Sequence, residues 1–541
     1  MDAPRSLPGL ARTLALSGPM GAGKSTVGPR LAERLGVPFV DSDALVAQRT
    51  GMTVGEAFRA LGEPAFRALE GELIAPLLAD GRARVLSLGG GTVTHTPTRR
   101  ALLRDAIVVT LLAPAEALVA RLSAQEIDAR PRLADAADRV GALAEMIASR
   151  AAAYAEAHAV LDARRPIDEL VAEASSIGRA DPVAVGLGER SYRVDLGDGA
   201  LAAFVGSAEA NALLGARAVL VSDVAIWAAL AEHRDVASLA AHRSFAPVVL
   251  LPSGEEHKGL AAVERIWDAA LDAGVDRKGA IVALGGGVVG DVAGFAAATL
   301  LRGVRVVQVP TTLLAMVDAS VGGKTAIDRA QGKNLVGAFH QPSRVVADTS
   351  LLATLPPRQL RAGLAEVVKT AVLEGEGFLA MLEADADALL AGDRAALRRA
   401  IRRSIVHKAS VVADDERETG TARAALNLGH TLGHAFEAEG GYARLTHGEA
   451  VAIGMVAALD LGLARGVGTR ALRDRVVHLL ARLGLPHDWR DQPLAAALPW
   501  IASDKKREGA HIRFILIERP GAVRIERLAP AEIAASLASI R

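Results

Sequence analysis

Gly18-Pro19-Met20-Gly21-Ala22-Gly23-Lys24-Ser25 satisfies the pattern GxxxxGK[ST], and it lies between an apolar strand-like run, Leu14–Ser17, and the start of a helical pattern. A Gly-rich turn that opens a helix aims several backbone N–H groups at one point, where the helix dipole adds to their pull on an anion. Lys24 would reach the β- and γ-phosphates of a nucleotide and Ser25 would ligate its Mg²⁺; the alternative is a chance Gly-rich strand–helix turn. Outward from the loop, strand-like runs at 39–40, 85–88 and Ile107–Leu112 alternate with amphipathic stretches. That βαβ rhythm predicts an α/β fold, a parallel sheet with helices on both faces.

The rhythm fades after Val160, and 175–190 (SSIGRADPVAVGLGER) has the Gly, Pro and Ser content of a linker. Strand-like runs resume at Tyr192–Leu196, 219–223, 248–251, 280–284 and Arg305–Pro310; beyond Pro356 the pattern is mostly helical, with a late strand-like HIRFILI at 511–517. The expected organisation is a P-loop domain at 1–178, a linker at 179–190, a second α/β domain at 191–345 and a mostly helical domain at 346–541. A chain of 541 residues has room for several domains. Lys+Arg and Asp+Glu both number 62, so no net field draws nucleic acid or an acidic membrane. Cysteine is absent, which excludes disulfides, thiolate metal sites and cysteine nucleophiles, and leaves any metal to His, Asp and Glu. The most membrane-like run, 280–301, carries Asp291 and five glycines and reads as a buried strand–turn–helix. With no signal-peptide pattern at the N-terminus, the chain reads as cytoplasmic.

Phosphoryl transfer to a small molecule needs an acceptor site beside the P-loop. Asp41 and Asp43 end the next strand-like run, where one carboxylate can hold the metal's water shell and the other an acceptor hydroxyl; a helix N-cap pair is the plainer reading. Gly89-Gly90-Gly91 ends another strand and lets a ligand touch backbone, and Arg130-Pro131-Arg132-Leu133 suits a lid that brings charge to the transition state. GPMGAGKST, VDSD, the FR of EPAFR, LGGG and the RP of the lid together resemble shikimate kinase over about residues 10–175. The resemblance implies that Gly21, Gly23, Lys24, Ser25, Thr26 and Asp41 hold ATP and Mg²⁺. It further implies that Asp43, Arg67, Gly89, Gly90, Gly91 and Arg150 bind shikimate, with Lys24 and Arg130 on the transferring phosphoryl group.

In the second half, Gly285-Gly286-Gly287-Val288-Val289-Gly290-Asp291 contains GxGxxG after a strong strand, but no acid follows about twenty residues beyond Gly287, so an ordinary Rossmann dehydrogenase is not expected. Pro252–Lys258 (PSGEEHK) ends a further strand and could hold ribose and phosphate, or be a plain Pro-Gly turn. His430 and His434 stand four apart on one helix face, and His447 follows thirteen residues after His434. Glu366 sits in an otherwise apolar helical run, where an unpartnered carboxylate would be costly and asks for a cation. Spacing does not decide between His430 and His434 as ligand. Arg302, Lys324, Lys333, Lys408, Arg423, Lys505 and Lys506 add positive charge to a chain with no net charge to spare.

PSGEEHK, GGGVVGDVAGF, RGVRVVQVPTTLLAMVDASVGGKTAID, GKNLVGAFHQP, GLAEVVKTA, LNLGHTLGHAFE and HGEAVAIGM resemble 3-dehydroquinate synthase over about residues 185–541. The resemblance implies a Rossmann-like NAD-binding domain followed by a mostly α-helical metal-binding domain. It implies Zn²⁺ (or Co²⁺) on Glu366, His430 and His447, with His434 left for substrate. NAD would contact Asp223, Glu255, Lys258, Gly286, Gly287, Val288, Asp291, Thr311, Thr312, Lys333 and Thr354. The heptulosonate phosphate would be held by Arg302, Lys324, Asn334, Lys408, Arg423, Asn427, His434, Lys505 and Lys506, and Asp318, Lys324, Lys369 and His434 would be catalytic. Arg302 would reach across a homodimer interface. The expectation is one chain with two enzymes of the shikimate pathway, acting on small molecules with no nucleic acid and no membrane. The competing reading is a nucleotide-sensing P-loop module fused to a metal-dependent polyol dehydrogenase or a related sugar-phosphate cyclase.

Overall fold

Leu14–Ser17 (β1) is buried along its whole length in the computed structural model, as a strand in the middle of a covered parallel sheet must be. Phe39–Asp41 (β2), Val85–Ser87 (β3), Ile107–Leu112 (β4) and Ala159–Asp162 (β5) complete an all-parallel sheet of order β2-β3-β1-β4-β5. Leu16, Val27, Leu31 and Val109 fill one face, and Leu86, Leu102, Val108 and Tyr154 fill the other. β1 lies between β3 and β4, so the loop after it opens at a topological switch point, where such sheets hold ligands.

The described residues are 10–123, 133, 136–245, 248–502, 507–508 and 511–540, and the chain divides into two units, Met1–Asp195 and Leu196–Arg541. The stretch expected as a linker holds regular structure. The helix Ile167–Ala180 ends where Asp181 turns left-handed (φ 50°), and the buried triplet Val183–Val185 (β6) then pairs antiparallel with Tyr192–Leu196 (β7). Gly and Pro content marked the ends of this segment and hid the short apolar strand between them.

In the second unit Ala218–Asp223 (β8), Val249–Leu251 (β9), Ala280–Gly285 (β10), Arg305–Pro310 (β11) and Arg344–Ala347 (β14) run parallel in the order β14-β11-β10-β8-β9. The chain order reverses between β8 and β10, so Asp223 and Gly286 close two neighbouring strands at the switch point. The 280–301 run forms β10, its glycine turn and the helix Gly287–Thr299, as expected. Lys324–Arg329 (β12) and Gly332–Phe339 (β13) make an antiparallel hairpin.

From Pro357 helices dominate, and Arg507–Glu508 (β15), His511–Arg519 (β16) and Ala522–Leu528 (β17) add a small antiparallel sheet that contains the late HIRFILI run. Among the described residues one helix, His447–Ala464, is long and apolar enough to cross a membrane, and 78% of that window is buried inside the protein. Its glycines let it approach its neighbours. A Cβ at Gly448 would run into the carbonyl of Ala362, and one at Gly454 into that of Gly429. These two contacts press the helices Pro357–Glu374 and His430–Glu439 against it. Glu366 stands one turn beyond Ala362, His430 next to Gly429 and His447 next to Gly448, so the packing brings all three together.

Candidate active sites

In the first unit Gly21 takes φ 75°, and a Cβ there would stand 2.7 Å from Leu118 O, so this turn of the phosphate loop accepts only glycine. Lys24 Nζ folds back and donates to Gly18 O (2.7 Å) and Pro19 O (3.0 Å). Asp41 accepts from Asp43 N (2.9 Å) as N-cap of the helix Ser42–Thr50, so the plainer capping role is realised at that residue. Arg67 Nη1 donates to Glu70 Oε2 (2.5 Å), and Glu70 Oε1 accepts from Thr92 Oγ1 (2.7 Å). The Arg67 guanidinium also lies 5.3 Å from the Phe66 ring centre and 5.7 Å from that of Phe58. A Cβ on Gly91 would run into this guanidinium, and one on Gly89 would stand 2.9 Å from Asp43 Oδ1. Gly90 O accepts from Arg150 Nη1 (3.1 Å) and from the Tyr154 hydroxyl. Asp43, Arg67, the three glycines and Arg150 are thus brought into one neighbourhood. Arg130 lies outside the described residues.

At the switch point of the second unit, Asp223 accepts from Ile226 N (2.9 Å) and from Ser253 Oγ (2.7 Å). Gly286 opens the helix Gly287–Thr299 without a side-chain cap, which leaves first-turn N–H groups for an anion, and Thr312 stands against it. Thr311 N donates to Gly285 O (2.9 Å), while Thr354 Oγ1 donates within its own turn to Leu351 O (3.3 Å). Lys258 Nζ donates to Asp291 Oδ2 (2.7 Å) and Asn334 Oδ1 (2.6 Å) and lies 3.8 Å from Glu255 Oε1. Burial pushes the Asp291 carboxyl up, with Lys258 pulling the other way. Asn334, expected on the heptulosonate phosphate substrate, therefore stands with the residues expected on the nucleotide.

The cationic cluster is partnered by acids and carbonyls. Lys408 Nζ donates to Asp318 Oδ1 and Asp318 O, both at 2.5 Å. Burial disfavours ionisation of Asp318, but the Lys408 ammonium overrides it and holds the carboxyl below its ordinary range. Arg423 Nη2 donates to Gly322 O (3.0 Å). Glu418, a left-handed residue at φ 56°, takes Lys324 Nζ on one oxygen and Asn427 Nδ2 (3.3 Å) on the other. Arg302 is exposed at the turn before β11, also at positive φ (67°). Lys505 and Lys506 lie outside the described residues.

Glu366 is 1% exposed; its Oε2 is in ion contact with Lys369, and its Oε1 is buried without a hydrogen-bond partner. Its Oε1 lies 3.6 Å from His430 Nε2 and 3.6 Å from His447 Nε2. The other nitrogen of each ring fixes the tautomer. His430 Nδ1 faces the Leu428 carbonyl (3.1 Å) and His447 Nδ1 faces Glu437 Oε2 (3.1 Å), both acceptors, so each Nδ1 carries the proton in the neutral ring and each Nε2 presents a lone pair. Separations of 3.6 Å are too long for hydrogen bonds and suit three donors that share a cation with bonds of about 2.0–2.2 Å. His434 completes the cluster, its nitrogen within 4.8 Å of one on each of the other imidazoles. The donor set fits a divalent metal.

The family profile described as 3-dehydroquinate synthase N-terminal matches residues 248–362, and the corresponding C-terminal profile matches 363–507. The 3-dehydroquinate synthase of Pelobacter propionicus is 48% identical over 333 residues, 62% of this chain and 92% of that protein. The chain belongs to the 3-dehydroquinate synthase family. The shikimate kinase profile matches residues 20–176, so a shikimate kinase domain precedes the synthase and the chain carries both enzymes. Two solved structures share the synthase fold. A 2-deoxy-scyllo-inosose synthase complexed with carbaglucose-6-phosphate, NAD⁺ and Co²⁺ is 27% identical with a TM-score of 0.59, over 66% of this chain and 99% of its own. A 2-epi-5-epi-valiolone synthase from Streptomyces hygroscopicus with NAD⁺ and Zn²⁺ is 28% identical with a TM-score of 0.58, over 64% and 96%.

Three carboxylates escaped the sequence reading. Glu70 lies three residues after Arg67, a spacing that places it on its partner's helix face and could have flagged it, whereas Glu437 shares a helix with His430 and His434 and finds its partner His447 on another. Glu418 sits in a loop, where no periodicity points to a partner.

Proposed function

We propose that the first unit phosphorylates shikimate to shikimate 3-phosphate with ATP and Mg²⁺, and that the second converts 3-deoxy-arabino-heptulosonate 7-phosphate to 3-dehydroquinate and phosphate. The observation that carries the second assignment is the buried Glu366 oxygen facing two imidazole lone pairs, beside a group of lysines and arginines. Glu366, His430 and His447 would hold Zn²⁺ or Co²⁺, a Lewis acid, and the switch-point residues would hold NAD⁺, a hydride acceptor that is regenerated in each turnover. Lys324, Lys408, Arg423 and Asn427 bind the substrate's anionic groups and fix the phosphate for departure. His434, on the same helix face as His430, serves the substrate.

In the first unit Lys24 and the loop N–H groups take the nucleotide phosphates, with Ser25 and Asp41 on Mg²⁺. Asp43 accepts the acceptor hydroxyl's hydrogen bond and Arg67, oriented by Glu70, takes the carboxylate. The exposed side chains Leu301, Leu335, Val336 and Phe339 support a homodimer through the synthase half, with Arg302 next to Leu301 in the chain.

The test is an assay of the purified full chain with the heptulosonate phosphate and catalytic NAD⁺, and separately with shikimate and ATP. Phosphate released without NADH accumulation, together with shikimate-dependent ADP formation, is the expected result. Stoichiometric NADH from a polyol with no phosphate released would contradict the synthase assignment. ATP bound without shikimate-dependent turnover would contradict the kinase.

A further inference from the structure

We infer that Glu437 is a positioning residue for the metal centre, and that Lys333 ties it to the nucleotide end of the same site. This rests on the metal and NAD reading above. Glu437 is 3% exposed and makes use of both its oxygens. Oε2 lies 3.1 Å from His447 Nδ1, and Oε1 lies 3.5 Å from Lys333 Nζ. A carboxylate opposite Nδ1 does two things to an imidazole ligand: it holds the proton on that nitrogen, so that Nε2 keeps its lone pair, and it fixes the ring plane. The second effect matters because His447 is the first residue of its helix and its side chain is only half-buried, so packing alone does not fix the ring.

Lys333 extends the contact across the site. Its ammonium lies 3.6 Å from Glu255 Oε1 and 4.2 Å over the Tyr442 ring centre. Glu255 comes from the turn after β9, Lys333 from β13, Glu437 from the end of the helix His430–Glu439, and Tyr442 from the loop that runs on to His447. A nucleotide that engages Glu255 or Lys333 must therefore change the charge facing Glu437, and through it the hold on His447. Metal and nucleotide affinities are then thermodynamically linked, each changing the other by the same factor.

The experiment uses the full chain, stripped of metal and nucleotide. Co²⁺ is titrated with and without NAD⁺, read by its visible absorption, and NAD⁺ is titrated calorimetrically with and without Co²⁺. In the wild type each ligand is expected to change the other's Kd by about 5-fold or more. In Glu437→Gln the Kd for Co²⁺ rises about 10- to 100-fold with a changed absorption band, and Glu437→Asp recovers part of the loss. Lys333→Met keeps the wild-type band while the coupling factor falls to about one. Wild-type Co²⁺ affinity in Glu437→Gln, or undiminished coupling in Lys333→Met, overturns the inference. A wild-type chain that binds both ligands with no coupling overturns the link and leaves the proposed function standing, whereas one that binds no Co²⁺ removes both.

Discussion

Buried Glu437 and half-buried His447 make an ion pair in the metal-free chain, where the ring carries a second proton on the nitrogen a metal would take, and its worth depends on pH in a definite direction. Burial opposes the charge on each, but each overrides it for the other, so Glu437 is held down to about 2 and His447 is raised to about 10. A depressed carboxyl contributes stability above its ordinary value of 4.5 that is lost as pH falls towards 2, and a raised imidazole contributes below 6.5 and loses it as pH rises through 10. In metal-free protein the cost of Glu437→Gln is therefore expected to be largest between about pH 4.5 and 6.5 and to shrink towards pH 10, which denaturant unfolding at a series of pH values would show. In the kinase unit the carboxylate beside Arg67 has a separable effect. Glu70→Gln is expected to raise the KM for shikimate about 10-fold or more while the KM for ATP stays put, since Glu70 touches the arginine and not the phosphate loop. Equal changes in both constants would mean a general loss of structure.

Elements whose chemistry lies within one stretch of chain were legible before the structure. The P-loop and the 280–301 run each encode strand, glycine turn and helix in consecutive residues, and both fold that way. Glu366, His430 and His447 could be named from residue type and family resemblance, yet their convergence depends on Gly448 meeting Ala362 and Gly454 meeting Gly429, and nothing in the hydrophobic pattern says which helix faces which. The strand Val183–Val185 was hidden for a related reason: three residues are too few for alternation to show, and burial makes them a strand. The 415–420 loop was also silent. There Glu418 occupies Lys324 and Asn427, two groups expected on the heptulosonate phosphate. Glu418→Gln is expected to lower the KM for the heptulosonate phosphate by about two- to five-fold, the worth of a part-exposed ion pair. A raised KM would mean that Glu418 orients Lys324 for the substrate instead of competing with it.

At the scale of the whole chain, two units carry two chemistries of one pathway, and in the proposed reactions the product of neither is the substrate of the other. Their activities should therefore separate cleanly by mutation. Lys24→Ala is expected to cut shikimate-dependent ADP formation about 100- to 1,000-fold, through loss of charge on the transferring phosphoryl group, and to leave phosphate release from the heptulosonate phosphate unchanged. A parallel fall in both rates would show that the units depend on one another for activity. The chemistry proposed for the second unit is phosphate elimination driven together by a metal on Glu366, His430 and His447 and a recycled NAD⁺. Its most direct test is to strip the full chain with chelator and titrate Zn²⁺ back while phosphate release and NADH absorbance are followed in the same cuvette, for the wild type and for His434→Ala. Phosphate release is expected to vanish on chelation and return at one Zn²⁺ per chain without NADH accumulation, with His434→Ala binding the same Zn²⁺ but turning over slowly. Phosphate release indifferent to chelation, or NADH rising in step with substrate consumed, would contradict it.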